Sequence, residues 1–348
     1  MAVAVQARAA RARAGVAAAV EYAQYAARAR AAGGAAALGG GEVVEVLNEV
    51  DDAAVVDVVA DLDVVEATSS SSGSADCFDA APPRKSLGAI GTIRNTSGNP
   101  SDCGCGATRV TVAQTRSGRY RMAVLHPDWV SHYIRSRGHW EITDPGGLTR
   151  LANRTAPERG IFLDIGANIG YHSSLFAFYN YTVISIEPRD ANRRAFEATL
   201  CMNPKRMKAR TTLIPTALGP TRGHCLLSSF PGNVGNGALD CSTDECPPGY
   251  LCERVPLRRL DDVLDEQFPP SSRWWRSLPM VVKMDTEGTE CSILASGQSL
   301  FTRLRPRFIQ IEGKDAATAR CIRVEAQRHG YQIGHKMGWD NNTVLFVD

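Results

Sequence analysis

The residues best suited to chemistry lie in Ile161-Phe162-Leu163-Asp164-Ile165-Gly166-Ala167-Asn168-Ile169-Gly170-Tyr171, where an apolar run ends in an acid, an amide and two glycines. A buried strand that runs through a glycine turn into a helix places the turn at the carboxyl edge of a sheet, where ligands bind. Gly166 and Gly170 let the backbone bend sharply and approach a ligand without a Cβ in the way, while Asp164 and Asn168 supply polar groups. A second acid, Glu187, closes the next apolar run 23 residues after Asp164. A carboxylate at that distance can accept ribose hydroxyls, as the acid after the second strand does in nucleotide folds. The direct inference is a nucleoside-containing ligand.

The glycine spacing narrows the choice. Dinucleotide enzymes use G-x-G-x-x-G, whose middle glycine makes room for a pyrophosphate; here that position is Asn168. S-adenosylmethionine, with no pyrophosphate, therefore fits better than NAD, and a purely structural turn is the bland alternative. A second stretch, Val281-Val282-Lys283-Met284-Asp285-Thr286-Glu287-Gly288-Thr289-Glu290, ends another apolar run in acids. The two-residue strand period puts Lys283 and Asp285 on one side, as an ion pair or as a shared contact to a substrate group. Asp285 is expected near the transferred group or its acceptor, with Glu287 and Glu290 within reach from the following turn. Glu312, at the end of another strand, and Trp140, Glu141, Trp274 and Trp275 are candidate walls of the acceptor site. Asp285, Glu287 and His172 are candidate bases, since a carboxylate or imidazole can take a hydroxyl proton; His172 also reads as a structural helix residue. No Asn-Pro-Pro-aromatic run, the mark of nitrogen acceptors, is present.

These residues must be held by alternating strands and helices. Nearly continuous apolar runs at 161–165, 182–186, 213–217, 280–284 and 308–311 read as strands covered on both faces. With helical segments between them they predict a doubly wound, mostly parallel α/β sheet, closed by a final antiparallel pair at 330–334 and 343–347. Upstream, Arg109 to Leu125 alternates around Ser117-Gly118 as a β-hairpin. Asp128 is placed to cap a short helix carrying Trp129, Tyr133 and Ile134, and residues 148–153 read as another. The expected division is an extension over 1–100, a hairpin and helical flank over 101–159, and a cofactor-binding domain over 160–348.

The extension is Ala- and Arg-rich to about residue 40, which reads either as organelle targeting or as a plain disordered or helical segment; it contains no Ser or Thr. Nine acidic residues interleave a helical apolar stripe over 42–66, a segment suited to folding against a protein partner. Ser69 to Ser74 and Pro82-Pro83 form a linker. Basic residues exceed acidic ones by 2 overall, with −7 in the first 83 residues and +9 after them. That balance excludes a nucleic-acid-coating protein and leaves a folded part that mildly favours anionic ligands. No run is long enough for a membrane helix, so a soluble protein is expected. Cys103-Gly-Cys105 is no zinc pattern, and no metal site is assigned. Cys201, Cys291 and Cys321 read as small buried hydrophobes, whereas Cys225, Cys241, Cys246 and Cys252 lie in a loop-rich stretch open to one or two disulfides in an oxidising compartment. Asn-x-Ser/Thr triplets at Asn95, Asn153, Asn180 and Asn341 are compatible with secretion, and the compartment stays open.

Together, Asp164 to Gly170, Glu187-Pro188, Ala217-Leu218-Gly219 and Lys283 to Glu290 resemble the FkbM-type S-adenosylmethionine-dependent methyltransferases over residues 109–347. The Asp-x-Glu-Gly-x-Glu run is the most specific part. The resemblance implies a class I, Rossmann-like methyltransferase fold with a seven-stranded sheet. It further implies cofactor contacts by Asp164, Gly166, Asn168, Gly170 and Glu187, with Tyr171 and Ala217 beside them, and methylation of a hydroxyl oxygen on a sugar, lipid or other small molecule. Asn233, Gly235, Asn236 and Gly237 resemble the Asn/Gly turn that some members carry. Thr286 and Thr289 depart from the smaller or apolar residues usual there. The rivals are an NAD-dependent oxidoreductase on a similar sheet and a catalytically silent cofactor-binding module.

Overall fold

The computed structural model describes Cys103 and residues 109–150, 155–313, 315–334 and 342–347. The Ala-rich segment, the acidic stripe over 42–66 and the linker lie outside these residues. The expected hairpin is present: β1 (Arg109–Thr115) pairs antiparallel with β2 (Gly118–Val124). In β2, Tyr120, Met122 and Val124 are buried while Arg119 and Arg121 are exposed, the alternation expected of a ribbon with one covered face. Helix α1 (Trp129–Arg137) starts where the Asp128 carboxylate accepts a hydrogen bond from the Ser131 amide at 2.7 Å, and stops at Gly138, whose φ is 79°. The helix expected over 148–153 begins earlier, as α2 (Gly146–Thr149), and residues 151–154 lie outside the described set.

The main domain then runs β3 (Ile161–Ile165), α3 (Tyr171–Phe178), β4 (Thr182–Ile186), α4 (Asp190–Cys201), α5 (Lys205–Ala209) and β5 (Thr211–Ile214). Four short strands follow: β6 (Ala217–Leu218), β7 (Gly223–Ser229), β8 (Ala238–Asp240) and β9 (Leu251–Arg258). The chain continues through α6 (Leu260–Gln267), β10 (Met280–Met284), α7 (Glu290–Ala295), a π-helical turn (Leu300–Leu304), β11 (Phe308–Ile311), α8 (Ala316–Arg328), β12 (Gln332–Ile333) and β13 (Thr343–Phe346). The large sheet has the order β12-β13-β11-β10-β3-β4-β5. Its pairs are parallel except those made by β13, which is antiparallel to both neighbours.

The apolar runs are continuous because each face of this sheet carries its own core. Ile161, Leu163 and Ile165 join one core with Leu260, Leu264 and Phe268 of α6 and its end, while Phe162 turns to the other with Phe176, Phe196 and the hairpin's Met122. Phe162 and Phe176 stack with centroids 3.7 Å apart. Burying a side chain of that size stabilises the fold by roughly 1.5–3 kcal/mol. By the same two-residue period Asp164 faces α3, at the end of the strand where the turn begins.

Three expectations are corrected. The strand placed at 213–217 is Thr211–Ile214, because Pro215 has no N–H for the ladder, and Ala217–Leu218 leaves to pair with β9. The stretch read as loop-rich is a four-stranded sheet of order β6-β9-β7-β8. Its turns and Pro247-Pro248-Gly249 mask short strands whose pairing is long-range. Cys201, Cys291 and Cys321 are not free thiols: Cys103 is bonded to Cys201 and Cys291 to Cys321, alongside Cys225–Cys241 and Cys246–Cys252. No helix among the described residues is long and apolar enough to cross a membrane.

Candidate active site

The cleft lies at the carboxyl ends of β3, β4 and β10 and is walled by the glycine turn, Glu187, Ala217, Lys283, Asp285, Glu287 and Glu312. Trp140, Glu141 and His172 close its flank. The turn is held tightly. The amides of Gly166 and Ala167 both donate to the Ile186 carbonyl at 3.0 Å, and Gly166, Asn168 and Gly170 have φ of 83°, 52° and 78°. A Cβ on Gly166 would overlap the carbonyl oxygen of Asp285, and one on Gly170 would overlap the ring of Phe196 on α4. Asn168 tolerates the left-handed region better than most side chains, and its Oδ1 accepts from the Ile169 amide at 2.6 Å.

Glu187 is buried beside this turn. Its Oε2 accepts from the Asn168 amide at 2.8 Å, and its Oε1 from the Arg189 amide at 2.9 Å and Asn192 Nδ2 at 3.2 Å. Three of a carboxylate's roughly four acceptor sites are thus filled, leaving about one for a ligand hydroxyl. Burial pushes its pKa up to about 6, against the lowering pull of these donors. A raised carboxyl pKa contributes stability below its unfolded value of 4.5, which is lost as pH rises through about 6. The loss is about 2 kcal/mol. Ligand binding that needs the carboxylate runs the other way. Cofactor affinity is therefore expected to rise from pH 5 to pH 7 with a midpoint near 6, measurable by calorimetry across that range, while the chain becomes slightly easier to unfold.

On the opposite wall, Lys283 Nζ lies 2.6 Å from Asp285 Oδ2, the ion pair expected from the strand period. Lys283 is buried; burial works against its ammonium form, yet Asp285, Glu141 and Asp164 outweigh it and raise its pKa. Asp285, Glu287 and Glu312 each present a carboxylate oxygen within 4.8 Å of the others. Burial, then the charges of Asp285 and Glu287, raise the Glu312 pKa and favour its neutral form. His172 Nε2 sits 3.0 Å from Glu141 Oε2, and Glu141 is itself strained at φ 51°. No local spacing pairs these two, because Glu141 lies on an irregular segment.

Several expected residues fall elsewhere. Asp164 is behind the wall of the cleft, fully buried; its Oδ2 accepts from Ser173 Oγ at 2.6 Å, and burial raises its pKa despite His172 and Lys283. Glu290 does not reach into the cleft. Its Oε1 accepts from the amides of Thr286 and Gly288 and from Thr286 Oγ1, so it organises the turn that carries Asp285 and Glu287. That also gives Thr286 its use. Tyr171 lines the cleft but donates its hydroxyl to the Ile142 carbonyl at 2.8 Å, tying the flank to the turn. Trp275 is buried in the core around Phe268 and Trp274 stacks on Phe268, both away from the cleft. The Asn233 to Gly237 turn folds over the cleft, with Asn192 Nδ2 donating to the Gly235 carbonyl at 2.9 Å. Arg189 was missed: it lines the cleft, and its buried Nη2 has no hydrogen-bond partner among the described residues. Its place two residues after Glu187 was the available signal.

A seven-stranded sheet with one antiparallel strand next to its edge, and a glycine turn answered by an acid on the neighbouring strand, make up a Rossmann-like fold of the class I methyltransferase type. Residues 164–333, just under half of the chain, match the family model described as "Methyltransferase FkbM domain". The match begins at Asp164; the hairpin and flank, counted in the resemblance above, lie outside it. No curated protein matches the chain. Similar solved structures include a precorrin-6y C5,15-methyltransferase from Geobacter metallireducens (12% identity, 56% of this chain and 82% of that one, TM-score 0.29). A glycopeptide N-methyltransferase, MtfA, with S-adenosyl-L-methionine bound, is similar at 12% identity over 59% of this chain and 87% of that one, with a TM-score of 0.31. A ribosomal protein L11 methylase from Lactobacillus delbrueckii is similar at 10% identity over 59% and 77%, with a TM-score of 0.31.

Proposed function

We propose that this protein transfers a methyl group from S-adenosylmethionine to a hydroxyl oxygen of a small molecule, lipid or glycan. The observation that carries this reading is the division of the cleft into two walls: the glycine turn with Glu187 on one side, and Lys283, Asp285, Glu287 and Glu312 on the other. The cradle fits the cofactor. Gly166, Asn168, Gly170, Tyr171 and Ala217 form its floor, Glu187 has an acceptor site left for a ribose hydroxyl, and the unpaired Arg189 Nη2 offers a donor to the same group. Asp164 acts from behind by fixing Ser173 and facing Lys283.

Bound, the cofactor supplies an electrophilic methyl group on sulfur. The chain's own work is to hold an acceptor oxygen in line with it and to receive the proton released as the C–O bond forms. Carboxylates and an imidazole on the acceptor wall suit a hydroxyl, which they accept from. Asp285, braced by Lys283, and Glu287 orient it, with Asp285, Glu287 and the His172 and Glu141 pair as the proton-receiving groups. The 101–159 flank contributes Trp140 and Glu141 to the acceptor side, and the 160–348 domain contributes the rest. A metal-assisted version would place a divalent ion among Asp285, Glu287 and Glu312. Lys283, 2.6 Å from Asp285, already offsets part of that charge, so methyl transfer is expected to survive EDTA undiminished; a loss restored by Mg²⁺ would favour the metal.

The test is incubation with methyl-labelled S-adenosylmethionine and a panel of glycans, lipids and alcohols. Label in an alkali-stable ether supports the reading, whereas label only on nitrogen, or none with cofactor bound, supports another acceptor or the silent module.

A further inference from the structure

All eight described cysteines are in disulfides, and the four bridges are spread over the domain. One joins Cys103, ahead of the hairpin, to Cys201 at the end of α4, and one joins Cys291 of α7 to Cys321 of α8. The other two, Cys225–Cys241 and Cys246–Cys252, fasten the second sheet. None lines the cleft, and the partners are 98, 16, 6 and 30 residues apart, so none has the Cys-x-x-Cys spacing of a redox centre. Glutathione and thioredoxin keep structural thiols reduced in a cytosol, whereas bridges of this number form and persist where folding is oxidative.

A separate observation points to the same compartment. Asn180-Tyr181-Thr182 is an acceptor triplet for N-linked glycans, and Asn180 is exposed in the turn between α3 and β4, with φ of 67°. Its backbone is held by Ala177 and by Arg210 Nη1, while its side-chain amide enters no described hydrogen bond. It precedes the amino end of β4, and the cleft begins past the carboxyl end of the same strand, about 16 Å away at ~3.3 Å per residue. A glycan there would leave the cleft open.

We propose that this chain matures in an oxidising compartment that also attaches N-linked glycans, with its eight described cysteines oxidised in these pairs and Asn180 glycosylated. Each bridge forms by thiol–disulfide exchange: two thiols give up two electrons and two protons, and a protein disulfide donor is reduced to its dithiol. The glycan arrives from a lipid-linked oligosaccharide pyrophosphate. A bond forms between Asn180 Nδ2 and the sugar C1 as the C1–O bond breaks, one amide proton is lost, and the lipid pyrophosphate leaves. The methyl acceptor is then a molecule that shares this compartment. The proposal goes beyond the methyltransferase reading, and its tests involve no cofactor, so each can fail without the other.

The native protein is isolated from the cells that make it, after its thiols are blocked with N-ethylmaleimide, and is digested without reduction for mass spectrometry. The four bridged peptide pairs are expected, with none of the eight cysteines alkylated. Peptide N-glycosidase F in ¹⁸O-water is expected to convert Asn180 to labelled aspartate. Dithiothreitol is expected to lower the Tm by about 10 °C or more. Alkylated cysteines at these positions would overturn the compartment, and an unlabelled Asn180 beside intact bridges would overturn the glycan site.

Discussion

Gly166→Ala is expected to destabilise the folded chain by about 2–5 kcal/mol and to abolish S-adenosylmethionine binding. Two effects add. A non-glycine residue at φ 83° is strained by about 1–2 kcal/mol, and the new Cβ would overlap the Asp285 carbonyl, a backbone atom that cannot swing aside. Relieving the overlap must separate β3 from β10, a cost of about 1–3 kcal/mol, and it moves the glycine turn and Asp285 together. The comparison is Gly249→Ala. Gly249 has φ of 82°, yet a Cβ there would meet nothing within 4 Å. Strain alone should cost it about 1–2 kcal/mol, with cofactor affinity unchanged. Denaturant melts of the two variants, followed by calorimetry, separate crowding at the site from backbone strain.

Glu187→Ala is expected to weaken S-adenosylmethionine binding by about 10- to 100-fold. A hydrogen bond to an ionised acceptor contributes about 1.5–3 kcal/mol, and 1.4 kcal/mol is a factor of ten. The truncation also leaves the Asn168 and Arg189 amides without their acceptor, which loosens the turn. Glu187→Gln tests the charge more cleanly. It keeps the shape but turns an NH₂ toward N–H donors, and it should remove the rise in affinity through pH 6 while the variant stays folded. An unchanged affinity in both variants would mean that the nucleoside does not reach this acid.

The large sheet was legible because its strands are short apolar runs at the right intervals, and a two-faced core demands that pattern. The glycine turn and Glu187 were legible for a local reason: backbone that must bend and an acid that ends a strand leave a mark within a few residues. What escaped depends on contacts between distant segments. Nothing near Cys201 or Cys291 announces its partner, since pairing is decided by where helices pack. Glu290 has the spacing of a cleft residue, yet three donors in its own turn claim it. Trp274 and Trp275 could be read as walls only until Phe268 was seen to hold them. The Glu141 and His172 contact joins a flank residue to α3 and follows no local period.

What occupies the cleft beside Glu187 decides the function. Isothermal titration of the full chain with S-adenosylmethionine, and separately with NAD, addresses this directly. One saturable site for S-adenosylmethionine, lost in Glu187→Ala, with no heat from NAD, is the predicted result. Saturation by NAD with no response to S-adenosylmethionine would contradict it.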